Sequence, residues 1–338
     1  IAGLTLLVLL LGFVAFFFWA SSGTLSEEEL ATVTLYPADP ASPRDTLAVM
    51  TYNIGYLSGM TNNEPVVRSR SLYDENMDAA VALLRATDPD IVGFQEIDFG
   101  ADRSFDVHQL DTLAARLGYA AGAGAVNWDE RYLPFPYHWN PAIHFGRVLS
   151  GQAVLSRYPI LDHERIELAR TSRPFWNDAF YLDRLAQIVQ IDVGGDTLVV
   201  VNVHLEAFEE ETREAQAREV RTLVESYLDR PLLLIGDFNS VPPAALDALP
   251  PAERAAFADD ETLGILLDGL PLRAAFPDSA YATASIAEIG TFPADAPTHK
   301  IDHIFYTPES VEAVEAAVPD TPGMPSDHRP VVMRFVLK

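Results

Sequence analysis

Polar residues that can bind a hard cation or transfer a proton recur at the ends of apolar runs in this sequence. They form the segments Thr51-Tyr52-Asn53, Gln95-Glu96, Asn202 with His204, Gly236-Asp237-Phe238-Asn239, Asp302-His303 and Ser326-Asp327-His328-Arg329. A single Asn or Asp at a strand end is usually a turn or cap, so each segment alone says little. Together they place carboxylates, amides and histidines at strand boundaries, where α/β proteins place their sites. Oxygen ligands of this kind favour Mg²⁺ or Mn²⁺, and imidazoles can transfer protons.

The charge and the lack of cysteine exclude several kinds of site. The sequence of 338 residues contains no cysteine, so thiol nucleophiles, disulfides and cysteine-ligated zinc or iron–sulfur centres are excluded. It has 49 acidic and 23 basic residues, which give a formal net charge of −26. Such a surface favours solubility, and it also disfavours long duplex DNA as a substrate because like charges repel.

Alternating apolar runs and amphipathic segments from Thr46 onward predict the elements that position these side chains. Buried strands are predicted at residues 47–52, 91–94, 232–235, 301–306 and 331–336, and helices at 74–87, 110–117 and 212–228. Gly194-Gly195 separates two further apolar runs, 186–193 and 197–203, and predicts a hairpin. Strands joined both by hairpins and by helices indicate a layered α/β fold with mixed sheets.

Two long segments interrupt this alternation. Residues 241–299 are rich in Ala, Pro and Asp, and residues 126–147 are rich in aromatics. The aromatic residues of the second segment are Trp128, Tyr132, Phe135, Tyr137, Trp139 and Phe145. Because its prolines oppose a regular helix or central strand, two interpretations stay open. The segment lies near a membrane or the substrate entrance, or it packs its aromatics into a satellite core.

The first twenty residues predict a membrane segment. Residues 1–20 carry no charge, and at about 1.5 Å per residue they match a bilayer core of about 30 Å. They lack the polar stripe of a core helix, and the run is longer than the apolar part of a signal peptide. Ala20-Ser21-Ser22 is a poor cleavage site. We therefore expect an anchor, or alternatively a signal segment, that places residues 1–20 in a lipid bilayer.

The residues after the apolar run indicate an orientation. Residues 21–45 contain Ser, Pro and acidic residues without a clear period, and we expect a tether there. Three glutamates occupy positions 27–29, and the first basic residue is Arg44. Cytoplasmic flanks are enriched in Lys and Arg, so the part of the chain after this flank is expected to be membrane-anchored and extracytoplasmic.

The order of the polar motifs is similar to that of a known enzyme family. Along the chain the motifs read Thr-Tyr-Asn-Ile, Gln-Glu, Leu-Ser-Arg-Tyr-Pro-Ile, Val-Asn-Val-His-Leu, Gly-Asp-Phe-Asn, Ile-Asp-His-Ile-Phe and Ser-Asp-His-Arg-Pro-Val. This succession over residues 51–331 resembles the endonuclease/exonuclease/phosphatase superfamily, which includes deoxyribonuclease I, abasic-site endonucleases, neutral sphingomyelinases, inositol polyphosphate 5-phosphatases and deadenylases. The resemblance implies a four-layer α/β/β/α sandwich with two central mixed sheets for a catalytic domain at residues 46–338.

The resemblance also implies Mg²⁺- or Mn²⁺-dependent hydrolysis at phosphorus. Glu96 resembles the principal metal-binding carboxylate of the family, with Asn53 beside it. Asp327 resembles the residue that lies near the metal. Arg157, in the Ser-Arg-Tyr-Pro segment, is a further candidate for a supporting role.

Five residues resemble the catalytic groups of the family. Asp237 and Asn239 resemble the pair that orients the nucleophile and the phosphate. His328 resembles the catalytic histidine, and Asp302 resembles the carboxylate that orients it. His204 resembles a histidine found in the deoxyribonuclease and sphingomyelinase branches.

Departures from the motifs of individual family branches reduce the number of branches that this sequence resembles. Gly55 stands where abasic-site endonucleases carry an aspartate, and Ile301-Asp302-His303 stands where the 5-phosphatases carry Cys-Asp-Arg. Deoxyribonuclease I has disulfides and pairs its equivalent of His204 with a glutamate on the preceding strand. The corresponding stretch here is Tyr181-Leu182-Asp183-Arg184, in which Asp183 is the candidate partner.

The sequence therefore predicts a monomeric, membrane-anchored phosphoesterase that hydrolyses phosphodiester bonds. Phospholipid head groups are one substrate class, favoured by the apolar N-terminus, the aromatic segment and the acidic charge. The alternative is a surface endonuclease or exonuclease that acts on DNA or RNA. A catalytically inactive binding module is a third hypothesis, which the complete set of motif residues disfavours.

Overall fold

Two parallel strand pairs organise the fold. A computed structural model describes residues 1–136 and 139–338. The strands are β1 Ala31–Leu35, β2 Leu47–Asn53, β3 Ile91–Asp98, β4 Ala121–Leu133, β5 Gly146–Ser156, β6 Ile160–Glu167, β7 Leu185–Val193, β8 Asp196–His204, β9 Leu232–Asp237, β10 Arg273–Ala274, β11 Asp302–Tyr306, β12 Val311–Ala317 and β13 Val331–Leu337. The helices are α1 Ala2–Ala20, α2 Arg70–Thr87, α3 Gln109–Leu117, α4 Phe175–Asp178, α5 Glu210–Glu225, α6 Pro251–Arg254, α7 Thr262–Leu267, α8 Asp278–Tyr281 and α9 Ile286–Ile289. Short 3₁₀ helices occupy Glu27–Glu29, Gly55–Leu57, Asp102–Ser104, Pro141–Ile143 and Pro243–Ala248.

Both sheets are mixed, and each contains one parallel pair near its middle. Within the described residues, one sheet has seven strands in the order β1-β4-β5-β3-β2-β13-β12, and the other has six in the order β10-β11-β9-β8-β7-β6. The parallel pairs are β2 with β3 and β8 with β9, and the remaining pairings are antiparallel. The carboxyl ends of two strands therefore meet at one edge in each sheet.

Apolar side chains between the sheets and under the helices form four layers. Val49 and Ile91 of the first sheet pack against Val200 and Ile235 of the second sheet in a fully buried cluster. Helices α2 and α3 cover the outer face of the seven-stranded sheet, and α5 and α7 cover that of the six-stranded sheet. The predicted four-layer α/β/β/α sandwich is confirmed.

The predicted elements form, and most extend beyond the predicted bounds, whereas α5 ends at Glu225 and β11 begins at Asp302, inside them. Gly118 adopts a left-handed conformation at the end of α3, and the hairpin at Gly194-Gly195 joins β7 to β8. Helix α2 begins at Arg70 rather than residue 74, because Ser69 caps it by accepting a hydrogen bond from the Leu72 amide at 3.1 Å. The strands β4, β5, β6 and β12 lie in stretches where we predicted no element.

The apolar helix α1 is exposed along its length. It has 19 residues and a mean hydropathy of 2.4, and none of that apolar window is buried. Among the described residues it is the one helix long and apolar enough to cross a membrane. At its end, Ala20 is buried and Phe17 is half-buried against residues of β4, β5 and the segment around Phe180.

The segment at 21–45 differs from the predicted tether. Strand β1 pairs antiparallel with β4, with Ala31 opposite Ala125, and the main-chain amides of Thr24 and Leu25 donate to the Asp129 carboxylate. An unpaired edge of β4 would leave its backbone groups without partners, and β1 satisfies them. The segment is therefore largely docked on the sheet.

The two irregular segments pack locally. Residues Trp128, Tyr132, Phe135 and Phe145 join a cluster with Phe180 and with Phe17 and Ala20 of α1. Trp139 is fully exposed, and Tyr137 lies outside the described residues. The aromatic segment thus forms a satellite core that touches the end of α1. Residues 241–299 form β10 and four short helices, α6 to α9, and part of the segment packs around the site described next.

Candidate active site

Polar side chains from the ends of the two parallel pairs meet between the sheets. Asn53 ends β2 in the seven-stranded sheet, and Asp237 ends β9 in the six-stranded sheet beside His204 of β8. The Asn53 Nδ2 atom donates to Asp237 Oδ2 at 2.9 Å, across the interface between the sheets. The stacking of the sheets therefore joins two strand ends into one site.

Asp237 lies at the centre of the site. Its Oδ2 atom lies 3.5 Å from His204 Nε2 and 3.8 Å from His328 Nε2. Its Oδ1 atom accepts a hydrogen bond from the Asn239 amide at 3.0 Å. Burial and the nearby charge of Asp302 raise the pKa of Asp237 to about 7, against the opposing charge of His328. A carboxylate with this pKa can accept a proton at neutral pH.

His328 and Asp302 form a buried pair. His328 Nδ1 lies 3.0 Å from Asp302 Oδ2, and both residues are buried. Burial alone would lower the pKa of His328, but Asp302 and Asp237 raise it well above its ordinary value. Burial likewise would raise the pKa of Asp302, but the charge and hydrogen bond of His328 hold it below its ordinary value. His328 is therefore a cation held by a carboxylate.

The segment before β11 packs against this pair. Phe292 lies with its ring centroid 4.9 Å from that of His328. The Asp302 amide donates to Thr291 Oγ1 at 3.3 Å. Part of the segment 241–299 thus fixes the orientation of the His328–Asp302 pair.

The carboxylates of Glu96 and Asp327 converge on one amide. The Asn62 Nδ2 atom donates to Glu96 Oε2 at 2.9 Å and lies 3.3 Å from Asp327 Oδ1. Asn53 Nδ2 donates to Glu96 Oε1 at 3.2 Å. Glu96 has a positive φ of 51°, a conformation that costs free energy for a non-glycine residue and that orients its side chain toward this point.

These oxygen donors fit a Mg²⁺ or Mn²⁺ ion. Burial, together with the charge of Glu96, raises the pKa of Asp327 despite the opposing charge of His328. Asn62 Oδ1 is buried without a hydrogen-bond partner among the described residues. Hard oxygen ligands of this kind suit divalent cations, and Glu96, Asp327 and the amides of Asn53 and Asn62 would hold one. Ligand atoms of Asp237, Asp302 and His328 also lie within 4.8 Å of one another.

His204 has a positively charged neighbour. Its Nε2 atom lies 3.9 Å from Glu96 Oε1, and burial, Arg184 and His328 lower its pKa well below the ordinary value. Arg184 is buried, with its Nε atom 3.5 Å from Glu206 Oε2. The Nη1 atom of Arg184 is buried without a hydrogen-bond partner among the described residues. His204 is therefore neutral, in contrast to His328.

Arg184 occupies the place where we expected a carboxylate. The Asp183 carboxylate instead lies 2.7 Å from Arg170 Nη1, so it does not form the suggested pair with His204. Side chains alternate in direction along an extended chain, and the alternation directs residue 184 toward the site and residue 183 away from it. Asn62 was also missed, because an Asn-Asn dipeptide in a loop has ordinary turn composition.

Several polar residues of the motifs serve the scaffold. Gln95 donates to Asn202 Oδ1 at 2.6 Å, which bridges the two sheets behind the site. Asn239 donates from Nδ2 to the Leu205 carbonyl at 3.0 Å and is half-buried at the edge of the site. The ring of His303 contacts the Ser240 carbonyl at 3.2 Å, outside the catalytic cluster. Arg157, expected to support the site, pairs with Asp88 near the opposite end of β3 and is not part of it.

Comparisons with known proteins agree with this geometry. The sequence model of the Endonuclease/Exonuclease/phosphatase family matches residues 50–328. A comparison with curated proteins gives no significant match. The structure is similar to an endonuclease/exonuclease/phosphatase from Beutenbergia cavernae, with 23% identity, a TM-score of 0.56 and coverage of 87% of this chain and 72% of that chain.

Two further solved structures have the same fold. The catalytic domain of human nocturnin with bound sulfate is 21% identical, with a TM-score of 0.59 and coverage of 89% of this chain and 98% of that chain. A mannosyl-6-phosphatase from Bacteroides thetaiotaomicron is 17% identical, with a TM-score of 0.57 and coverage of 86% and 99%. At these identities the likeness establishes the fold alone.

The family match covers most of the chain and includes the strands that carry the clustered carboxylates and histidines. Enzymes of this family are divalent-metal-dependent hydrolases that act on phosphoester bonds. The chain therefore belongs to the endonuclease/exonuclease/phosphatase family.

Proposed function

We propose that the protein is a membrane-anchored, Mg²⁺- or Mn²⁺-dependent phosphodiesterase. The observation that carries this proposal is the contact of Asp237 with Asn53, His204 and His328, beside the two carboxylates of Glu96 and Asp327. These groups supply a proton acceptor, a buried cation and a set of hard oxygen donors in one place. Metal-assisted hydrolysis at phosphorus uses groups of each kind.

The side chains divide the work of hydrolysis. Asp237 accepts a proton from the attacking water, the oxygen of which bonds to phosphorus as the bond to the leaving alkoxide breaks. The alkoxide then takes a proton from bulk water and leaves as the alcohol. The main-chain N–H of Asn239 donates to Asp237 Oδ1 and keeps this carboxylate oriented. His328 remains positively charged beside Asp302 and stabilises the negative charge on the phosphoryl oxygens. A bound Mg²⁺ or Mn²⁺ would offset further negative charge on the phosphate and the leaving group.

Helix α1 supports the membrane location. Its apolar side chains are exposed along 19 residues, and such a surface is stable only in an apolar medium such as a bilayer. The acidic flank at Glu27–Glu29 supports an extracytoplasmic catalytic domain, since cytoplasmic flanks are basic. Retention of residues 1–20 in the mature protein, measured by intact mass of the membrane fraction, would distinguish an anchor from a cleaved signal.

The charge favours a lipid head group over nucleic acid. A net charge of −26 repels a long polyanion, whereas one phosphodiester in a head group experiences this repulsion far less. Nucleic acid stays an explicit alternative in the test, and so does a phosphomonoester, since one structural neighbour is a mannosyl-6-phosphatase.

One substrate panel tests the proposal. The full chain in detergent is assayed with Mg²⁺, Mn²⁺ or excess EDTA on bis(p-nitrophenyl) phosphate, p-nitrophenyl phosphate, sphingomyelin, plasmid DNA and RNA. We expect metal-dependent hydrolysis of the diester, hydrolysis of the lipid, and little hydrolysis of the monoester. Full activity in EDTA would refute metal dependence, and hydrolysis of DNA or RNA without lipid hydrolysis would establish the nuclease alternative.

A matched pair of variants tests the site. Loss of a general acid or base costs about 10²–10⁴-fold in rate, so Asp237→Asn should lose at least 10²-fold in kcat. His303→Gln is the control, because His303 is buried next to the site but contacts the Ser240 carbonyl instead of Asp237. Equal losses in both variants would show that the proposed assignment is wrong.

A further inference from the structure

Three exposed aromatic residues lie on two neighbouring surface segments beside the active site, the short helix α4 and the loop that follows β8. Phe175 is 68% exposed, Trp176 is 56% exposed and Phe208 is 80% exposed. We call these three residues the aromatic rim. Large apolar side chains grouped on a surface mark a contact with a partner or a membrane.

Arg173, just before helix α4, connects this helix to the loop after β8 and to the site. Its Nη2 atom lies 3.6 Å from Glu209 Oε1 and 3.7 Å from Glu206 Oε1. The Phe208 amide also donates to Glu206 Oε1, at 3.1 Å. Glu206 follows His204 by two residues and contacts Arg184 on its other side. The aromatic rim therefore borders the His204 side of the active site.

The same rim is continuous with the end of α1. The ring of Phe17 lies 6.1 Å from that of Phe175 and 5.4 Å from that of Phe180, with nearly perpendicular ring planes. Phe17 is three residues before the end of the helix, about 4.5 Å along its axis. If α1 crosses the bilayer, the rim lies where the helix leaves the hydrocarbon core.

We propose that the aromatic rim inserts into the interfacial layer of the membrane that α1 crosses, and that the active site acts on phosphodiester head groups of lipids in that same leaflet. The inference rests on the proposed phosphodiesterase function. Aromatic side chains favour the interface between head groups and hydrocarbon. The bilayer is the one occupant that explains both the exposed helix and the exposed rim, because the two surfaces meet at Phe17.

The position of the rim can be measured because the chain has no cysteine of its own. Single cysteines are introduced as Trp176→Cys, Phe208→Cys and, as a control, Val314→Cys. Val314 is 60% exposed on β12, at the opposite edge of the seven-stranded sheet from β1. Each full-length variant carries a nitroxide label and is reconstituted in phosphatidylcholine nanodiscs. Collision rates with oxygen and with a water-soluble nickel complex then report depth.

We expect labels at positions 176 and 208 to collide more often with oxygen than with the nickel complex, and a label at position 314 to collide more often with the nickel complex. Equal collision rates with the nickel complex at 176, 208 and 314 would overturn the proposal. The aromatic rim would then be exposed to water, as expected for a surface that binds a soluble partner. A second measurement compares hydrolysis of sphingomyelin in vesicles with hydrolysis of soluble bis(p-nitrophenyl) phosphate. Combined Phe175→Ser, Trp176→Ser and Phe208→Ser should lower the ratio of vesicle to soluble activity at least tenfold, whereas Val314→Ser should not.

The two assays separate this inference from the proposed function. Hydrolysis of the soluble diester with an unchanged ratio in the rim variant would refute membrane docking and leave the phosphodiesterase intact. Absence of soluble diester hydrolysis with either metal would refute the phosphodiesterase itself, whatever depth the labels report. Thermal unfolding of each variant, followed by circular dichroism, confirms that the compared proteins are folded.

Discussion

Replacement of Asp302 by asparagine isolates the contribution of one carboxylate to catalysis. The hydrogen bond between Asp302 Oδ2 and His328 Nδ1 is 3.0 Å long and buried. Two unit charges at this distance interact by about 5.5 kcal/mol at an effective dielectric constant of about 20. Asp302→Asn keeps the shape of the side chain and removes its charge. We expect kcat to fall by about 10²–10⁴-fold, because His328 loses both its orientation and its stabilised positive charge.

The pH profile distinguishes this role from a structural one. Asp302 raises the pKa of His328, so its removal lowers that pKa. The limb of the pH–rate profile on which His328 loses its proton should therefore move down by at least about one unit, although Asp237 at 3.8 Å still favours the cation. Rates are measured from pH 5 to 10 on bis(p-nitrophenyl) phosphate, with His303→Gln as the control. A variant with kcat within threefold of the wild type and an unmoved limb would refute the reasoning.

Three further predictions concern the metal ligands, the phosphate contact and a carboxyl group remote from catalysis. Glu96→Gln should raise the Mg²⁺ concentration for half-maximal activity at least tenfold with little change in melting temperature; an unchanged metal titration would remove Glu96 from the ligand set. Because Arg184 Nη1 is buried without a hydrogen-bond partner among the described residues, we expect it to contact the substrate phosphate. Arg184→Lys should then weaken competitive inhibition by inorganic phosphate about tenfold, since lysine cannot present the planar fork of an arginine, and an equal inhibition constant would show that Nη1 does not contact phosphate. Burial raises the pKa of Glu130 to about 8 from an unfolded value near 4.5, so its contribution to stability is complete below pH 4.5 and is lost as the pH rises to 8. Glu130→Gln should therefore match the wild type near pH 4.5 and melt at a higher temperature at pH 8, and parallel curves of melting temperature against pH would contradict this.

The central strands and the eight candidate residues were predictable from sequence because their signals are local. Strand β9 is a continuous apolar run that ends in Gly236-Asp237, and β2 ends likewise at Asn53. Strands buried on both faces carry such runs, and their carboxyl ends carry the polar side chains of the site. The order of the motifs then related these strand ends to one family. The distances between their side chains became known only from the structure, because they depend on how the two sheets stack.

Edge strands were missed because their patterns are weaker. Strand β1 reads Ala-Thr-Val-Thr-Leu and is mostly exposed, so only its pairing with β4 shows that it is a strand. Strand β6 carries a run of charged and polar residues, Asp162 to Arg165, and none of its residues is fully buried. Such strands depend on the hydrogen bonds that a neighbour offers, and that neighbour is distant in sequence.

The difference between the two histidines required the three-dimensional structure. His204 and His328 both lie in polar motifs next to an apolar run, and their sequence context alone suggests the same role. Asp302 raises the pKa of His328, whereas burial and the charges of Arg184 and His328 lower the pKa of His204. The charge that acts on His204 depends on whether Asp183 or Arg184 points toward the site. A shift of one residue along an extended chain would exchange the arginine for the aspartate. The site therefore combines one charged and one neutral imidazole on either side of Asp237, an asymmetry suited to stabilising negative charge at one oxygen of a phosphate while contacting another.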